Sequence, residues 1–206
     1  MGANCFRIIQ MKTLLTIFVL FFSSSILSQE YKSNFGFTAL IPENYIMFTE
    51  DNLDEVTKTL DDLNFDMSVW NSLRHEFGNE EGEYLYNIDD LNNEFRNNIN
   101  FGYSEGTYEK ITKDTLSLCS YYNNMLSDFA KTDVTQLKCD ISSIPGIKGN
   151  SLYLEHYGVL PGIANIQYMF WINNYKLIDA TLTCVYDDCI EDRIIFKNII
   201  TSIKND

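Results

Sequence analysis

The sequence predicts an α+β fold, an antiparallel β-sheet flanked by helices, and the C-terminal part of the chain gives the clearest evidence for it. Apolar side chains alternate with period two in three runs, residues 151–157, 166–172 and 176–184. Isoleucines then recur at helical spacing over residues 190–203. Helices that cover an antiparallel sheet are typical of α+β proteins.

The last two of these runs are separated by Asn173-Asn174, and asparagine tolerates the positive φ of a tight turn. On the strand that follows, alternate residues from Ile178 to Cys184 are apolar and share one face. We therefore expect a C-terminal hairpin with one buried face, followed by a C-terminal helix that packs on it.

Weaker patterns predict the elements upstream. Alternating apolar residues predict a strand that Pro42 ends, and a polar lead-in, residues 30–33, precedes it. Leu53, Val56 and Leu60 lie on one side of an acidic helix. Further strands are predicted over residues 83–88, 99–103 and 135–141, with a helical piece over 66–77 and a helix over 114–129.

Two of these elements carry specific expectations about which side chains point inward. The helix over 114–129 has one apolar stripe, with Cys119 and Leu126 beside it. The stripe consists of Leu118, Tyr122, Met125 and Phe129. The strand over 135–141 turns Leu137, Cys139 and Ile141 inward.

The N-terminal residues predict a secretory signal peptide. Met11-Lys12 precedes an apolar run, residues 14–22, and a serine-rich stretch, so residues 1–29 form the signal, with residues 1–10 as an upstream extension. The apolar run is short for a membrane span, although an uncleaved anchor is the alternative. We expect residues 30–206 to form a single α+β domain that is secreted or periplasmic and is not stably inserted in a membrane.

The net charge of the chain limits the classes of partner that it is expected to bind. Its formal net charge is −14 at pH 7, which disfavours nucleic acid and anionic membranes. A cationic partner is one interpretation, and plain solubility is the other. The acidic region over residues 50–82, which begins on the first helix, is either a docking face or a solvated surface.

Export also affects how the cysteines are interpreted. Cys119, Cys139, Cys184 and Cys189 remain after signal cleavage, and four cysteines in an oxidising compartment allow three pairings. A local Cys184–Cys189 bridge at the strand–helix corner would leave Cys119 to pair with Cys139. Four buried free thiols are the alternative, and the spacing is a poor match to a zinc site.

Two parts of the chain carry a distinctive pattern. The first is Phe35-Gly36-Phe37 followed by Ile41-Pro42 and Tyr45, and the second is the closing hairpin with its isoleucine-rich helix. Together they resemble exported bacterial members of the PsbP-like fold group. The similarity covers residues 31–48 and 135–204. It implies an antiparallel sheet flanked by helices and a non-enzymatic role, because this group has no shared catalytic motif to transfer.

One motif points to an enzyme instead. Gly102-Tyr103-Ser104-Glu105-Gly106 fits the G-x-S-x-G pattern of serine hydrolases, with Asp133 or Asp140 and then His156 in the required order. The next predicted helix begins at residue 114 rather than directly behind the serine, and no His-Gly-Gly loop supplies an oxyanion hole. We therefore favour turn glycines at this motif, with a small serine hydrolase using Ser104, Asp140 and His156 as the alternative.

Metal and cofactor motifs are absent from the sequence. His75 and His156 have no partner at metal spacing, and the stretch from Asp90 to Phe101 fails the EF-hand pattern, with Phe95 in place of the required glycine. An acidic corner precedes and opens the last helix; it holds a hard cation weakly or simply complements the helix dipole. The corner consists of Asp187, Asp188, Glu191 and Asp192. We expect no metal and no cofactor.

The sequence predicts an exported, non-enzymatic interaction protein of the immunity or accessory envelope type, whose partner is an unknown protein or small ligand. The candidate binding patch lies on the outward face of the hairpin and the neighbouring strand, unless helices cover both faces and bury it. This patch consists of Tyr153, Tyr157, Met169 and Trp171.

Overall fold

The computed structural model describes residues 28–62, 67, 82–91, 96–105, 115–131, 134–173 and 175–205. Most of the predicted signal peptide and the helical piece over 66–77 therefore lie outside the described residues, as do Asp133 and Gly106. No helix within the described ranges has the length and hydrophobicity to cross a membrane.

The described residues form three helices of four residues or more and ten strands. The helices are α1 Leu53–Asp62, α2 Thr115–Ala130 and α3 Ile190–Ser202. The first five strands are β1 Ser28–Lys32, β2 Phe37–Pro42, β3 Tyr45–Phe48, β4 Glu83–Asn87 and β5 Asn98–Glu105. The others are β6 Thr135–Ser142, β7 Ser151–Tyr157, β8 Ile163–Ile172, β9 Lys176–Val185 and β10 Lys204–Asn205.

The strands form two sheets, and all of their pairings are antiparallel. A seven-stranded sheet has the order β3-β4-β5-β9-β8-β7-β6, and a three-stranded sheet has the order β1-β2-β10. Antiparallel sheets flanked by helices confirm the predicted α+β class, with a C-terminal hairpin followed by the C-terminal helix.

One face of the large sheet packs against both α3 and the small sheet. Phe37 of β2 lies 5.2 Å from Phe101 and 6.5 Å from Phe170, measured between ring centroids. Phe196 and Ile199 of α3 are buried in the same cluster. The alternation that the sequence shows in β8 and β9 thus places one whole row of apolar side chains in this core.

The opposite face is covered at its two ends. Near β3 and β4, α1 packs its apolar side chains against Phe48 and Tyr86. Near β7 and β8, Tyr122 of α2 packs with a smaller cluster that contains Leu152, Leu154 and Met169. Helices thus flank the sheet on both faces.

A buried carboxylate joins the small sheet to the large one. Glu83 of β4 is almost fully buried, and its two oxygens accept hydrogen bonds from Ser33 Oγ at 2.7 Å and from the backbone N–H of Asn34 at 2.7 Å. Burial raises the pKa of Glu83, against the opposing effect of these donors. The turn between β1 and β2 is therefore fixed to β4 by hydrogen bonds to the buried carboxyl group of Glu83.

The strongest sequence patterns are confirmed. Strands β7, β8 and β9 and helix α3 lie where the periodicity predicts them, and Asn173 has the positive φ, 54°, expected of the turn. Both predicted disulfides are present. Cys119–Cys139 links α2 to β6 with its Cα atoms 5.9 Å apart, and Cys184–Cys189 links β9 to α3 across 5.6 Å.

Three expectations about local structure are wrong. The polar lead-in is strand β1, which pairs with β2 through its backbone, so the pattern of its side chains did not reveal it. Met125, which is expected on the apolar stripe of α2, is 42% exposed, whereas Cys119, which is expected beside that stripe, is buried. The Cys119–Cys139 disulfide turns the side of α2 that carries Cys119 toward β6. Leu137 points outward because the register of β6 shifts between Gln136 and Lys138.

Candidate functional site

An acidic cleft lies where the start of α3 meets the ends of several strands. Its volume is about 890 Å³, in the range of ligand pockets, which is roughly 300–1,000 Å³. Six of the residues that line it are acidic, and none of the described residues that line it is basic. The acidic residues are Asp89, Asp90, Asp187, Asp188, Glu191 and Asp192.

Three short elements supply these carboxylates. Asp89 and Asp90 lie in a 3-10 turn, Ile88–Asp90, which follows β4, and Asp187 and Asp188 lie in another, Tyr186–Asp188, which follows β9. Glu191 and Asp192 occupy the first turn of α3, where the helix dipole favours negative charge.

The turn that carries Asp187 and Asp188 is fixed at several points. The Cys184–Cys189 disulfide closes it, and the N–H of Tyr186 donates to the carbonyl of Gly162 at 3.0 Å. Both cysteines are buried. These constraints hold two of the six carboxylates in place.

Two hydrogen bonds hold the carboxylate of Asp192. Its Oδ2 accepts a hydrogen bond from Asn97 Nδ2 at 2.8 Å, and its Oδ1 accepts one from the hydroxyl of Tyr45 at 3.3 Å. Asn97 Oδ1 in turn accepts from the N–H of Val185 at 3.1 Å. The Asn97 side chain therefore connects the start of β5, the end of β9 and the first turn of α3.

The cleft concentrates negative charge. Partial burial raises the pKa of Asp192, and the nearby charges of Asp90 and Glu191 raise it further, whereas the hydrogen bonds from Asn97 and Tyr45 lower it. Burial and the neighbouring Asp192 also raise the pKa of Tyr45, so its hydroxyl stays protonated as a donor. A positively charged group that enters the cleft would relieve this repulsion.

The carboxylates are distributed rather than convergent. They belong to two turns and to the first turn of one helix. Among the described residues, no three His, Cys, Asp or Glu side chains are grouped so that they could hold a metal ion. Distributed carboxylates match a ligand that carries several positive charges along its length.

The residues of the hydrolase alternative are not brought together. In the sheet, His156 is level with Asn98 of β5, across β8 and β9, and Ser104 lies six residues further along β5. This spacing places Ser104 about 20 Å away along the strands alone. Asp140 is exposed, pairs with Tyr153 and lies 3.7 Å from Lys138.

His156 lies in the core of the protein. It is 3% exposed and shares its face with Leu152 and Leu154. Its Nδ1 has no hydrogen-bond partner in the structure, and burial lowers the pKa of the ring to about 4. The imidazole is therefore neutral at pH 7.

The predicted binding patch is divided between the two faces of the sheet. Tyr153 packs against Tyr168 at 5.0 Å on the face that α3 covers, and Tyr157 lies 5.0 Å from Tyr186. Met169 is buried in the cluster that Tyr122 of α2 packs against, and Trp171, which lies on the same face of β8 as Met169, is half-buried. In the pairing of β7 with β8, Tyr153 is opposite Tyr168 and Leu152 is opposite Met169, so Tyr153 and Met169 lie on opposite faces of the sheet.

Four of the cleft acids form the acidic corner that the sequence shows, but the rest of the site is not apparent from the sequence. The corner consists of Asp187, Asp188, Glu191 and Asp192. Tyr45, Asp89, Asp90 and Asn97 are far from that corner along the chain. The pairing of β5 with β9 brings Asn97 to the corner, and no local pattern reveals that pairing.

Comparisons with known proteins show the fold. No family model and no curated protein matches this sequence. The structure is similar to that of cyanobacterial PsbP (CyanoP) from Synechocystis sp. PCC 6803, with a TM-score of 0.56 and 13% identity over 90% of this chain and 96% of that one. It also matches the Ran-binding protein Mog1p of Saccharomyces cerevisiae, with a TM-score of 0.49 and 11% identity over 88% of this chain and 96% of that one.

The similarity to CyanoP confirms the PsbP-like fold that the sequence resemblance predicts. At this level of identity it concerns the fold alone, so the function has to be argued from the cleft.

Proposed function

We propose that this protein is an exported, non-enzymatic interaction domain whose acidic cleft binds a positively charged segment of a partner protein. The observation that carries the proposal is the cavity of about 890 Å³ with six acidic side chains on its walls. A lysine- or arginine-containing segment supplies the complementary charge at several points along its length.

The charge of the whole chain adds to this attraction. A formal net charge of −14 attracts cations over long range, and a cleft concentrates the field. The exposed carboxylates at the mouth of the cleft act mainly on the rate of association, and salt screens them. Asp192, which is half-buried and held by two donors, contributes a contact that salt screens less.

Two further observations support export and a non-enzymatic role. Two disulfides are typical of proteins that function in oxidising compartments, and this agrees with the signal peptide predicted from the sequence. The separation of Ser104 from His156 argues against the hydrolase alternative.

The test compares two triple variants that remove the same charge. Asp187→Asn, Asp188→Asn and Glu191→Gln neutralise exposed acids of the cleft. The matched control replaces exposed acids of α1 and α2 by Glu55→Gln, Asp61→Asn and Asp128→Asn. Binding of a dye-labelled peptide that alternates lysine and serine is measured by fluorescence anisotropy at low and at physiological salt.

We expect the cleft variant to bind the peptide at least about tenfold more weakly than the control variant, which should stay close to wild type. Equal losses in the two variants would mean that only net charge matters and would overturn the proposal. A greater loss of affinity in the control variant would place the docking face on the acidic surfaces of α1 and α2 instead.

A further inference from the structure

Two exposed isoleucines lie beside the carboxylates of the cleft. Ile190 is 75% exposed and Ile194 is 59% exposed, whereas Phe196, Ile199 and Ile200 of the same helix are buried. Ile190 and Ile194 are four residues apart, so they form one apolar stripe on α3, and both line the cleft. We call this pair the isoleucine wall.

Further exposed apolar side chains lie on the turn that precedes α3 and on the turn that is hydrogen-bonded to it. Tyr186 is 43% exposed, and its ring lies 5.0 Å from that of Tyr157. Its backbone is hydrogen-bonded to Gly162, in the same turn as the exposed Leu160. An acidic surface and an apolar surface therefore adjoin at this end of the molecule.

Neither surface alone explains the arrangement. A partner with only positive charges would leave the isoleucine wall in water, and a purely apolar partner would remove the carboxylates from water without compensation. A segment that has both kinds of side chain avoids both penalties.

We infer that the occupant of the cleft is an amphipathic basic segment of another protein, in which an apolar side chain adjacent to the cations packs on Ile190 and Ile194. This inference rests on the proposed function and specifies the chemistry of the partner. The cations contact the carboxylates of the two turns and of α3, and the apolar side chain covers the isoleucine wall.

The chain contains a matched control for the isoleucine wall. Tyr121 and Met125 of α2 are also four residues apart and are 62% and 42% exposed. They do not line the acidic cleft. Replacing either pair by serine removes an exposed apolar stripe from a helix, but only one of the two stripes adjoins the cleft.

The experiment uses two peptides of equal length and charge. The first is the lysine–serine peptide described above, and in the second two serines are replaced by leucine. We expect the leucine peptide to bind the wild-type protein at least about tenfold more tightly, since it buries apolar surface. Ile190→Ser with Ile194→Ser should abolish that preference, so that the two peptides bind this variant with equal affinity. Tyr121→Ser with Met125→Ser should preserve it.

The comparison of the two peptides on the wild-type protein does not depend on any variant. Equal affinities there would overturn this inference and leave the proposed function standing. A leucine preference that survives loss of the isoleucine wall, or that disappears in the α2 variant, would overturn it as well. If neither peptide binds, the proposed function fails, and this inference fails with it.

Discussion

Asn97 is the residue on which the geometry of the cleft depends most. Its amide donates to Asp192 at 2.8 Å and accepts from the N–H of Val185 at 3.1 Å. Asn97→Ala removes both bonds and leaves that N–H without its acceptor. We expect the free energy of unfolding to fall by about 1–3 kcal/mol and peptide affinity to fall as well, measured by urea unfolding and by anisotropy.

The neighbouring asparagine provides the control. Asn98 lies on β5, and its amide donates to the carbonyl of Arg96 at 3.3 Å, away from the residues that line the cleft. Asn98→Ala should leave peptide affinity unchanged. Equal affinities of the Asn97→Ala variant and wild type would contradict the role assigned to Asn97.

Asp179 gives a prediction about pH. Burial raises its pKa from 3.8 to about 6, against a hydrogen bond from Thr181 Oγ1 at 3.1 Å. The folded state therefore binds a proton more readily than the unfolded state, and stability is lost as pH rises from about 4 through 6. Asp179→Asn, which is neutral at every pH, should raise the free energy of unfolding by about 2–3 kcal/mol at pH 7.5.

That gain should disappear below about pH 4, where the wild-type Asp179 is protonated in both states. His156 affects stability in the opposite direction. Because its pKa is lowered to about 4 in the folded state, the free energy of unfolding falls as pH falls from about 6.5. Comparing variant with wild type at each pH cancels this contribution. Asp140→Asn, at an exposed position, is the control and should change the free energy of unfolding little at either pH. An Asp179→Asn protein that is less stable than wild type at pH 7.5 would refute the prediction.

Single residues were predictable where a strand or helix period fixes their direction. The alternation in residues 151–157 predicts strand β7, and on one face of that strand Leu152, Leu154 and His156 are all buried. The role of Asn97 was not predictable, because it depends on β5 pairing with β9 from a distant part of the chain.

At the scale of elements, the two disulfides should have separable effects. Cys119–Cys139 closes a separation of 20 residues and Cys184–Cys189 one of only 5. Replacing each pair by alanine should lower the free energy of unfolding by about 3 and about 2 kcal/mol, respectively, since the longer loop gains more entropy on release. Only loss of Cys184–Cys189 should weaken peptide binding, because that bridge closes the turn with Asp187 and Asp188.

Urea unfolding and anisotropy on the two double-alanine variants measure the two effects separately. The Cys119–Cys139 pair acts as the control for binding, since it joins α2 to β6 away from the cleft. Loss of affinity in that variant, with normal affinity in the Cys184–Cys189 variant, would contradict this account of the turn.

Elements were predictable when their side chains carry the pattern. The last hairpin and α3 have strong periodicity and lie where expected. β1 pairs through its backbone and exposes most of its side chains, so no alternation marks it. The shifted register in β6 reverses the direction of Leu137, and such a shift leaves no trace in composition.

At the scale of the whole molecule, the α+β class followed from the C-terminal pattern, but the cleft did not. It depends on β3, β4, β5 and β9 meeting at one end of the sheet, with α3 starting there. The sequence showed an acidic corner with two interpretations. Its position on the wall of a cavity of about 890 Å³ is the basis for a third interpretation, the binding surface proposed above.

Mapping the bound peptide by NMR tests the central claim most directly. The ¹⁵N-labelled protein is titrated with the leucine peptide, and backbone amide chemical shifts are followed residue by residue. We expect the largest changes at residues 88–90, 97 and 185–195, with α1 and the outer strand β6 unaffected. Shifts centred on α1, or scattered over the surface without saturation, would contradict the claim that this protein binds its partner through the acidic cleft.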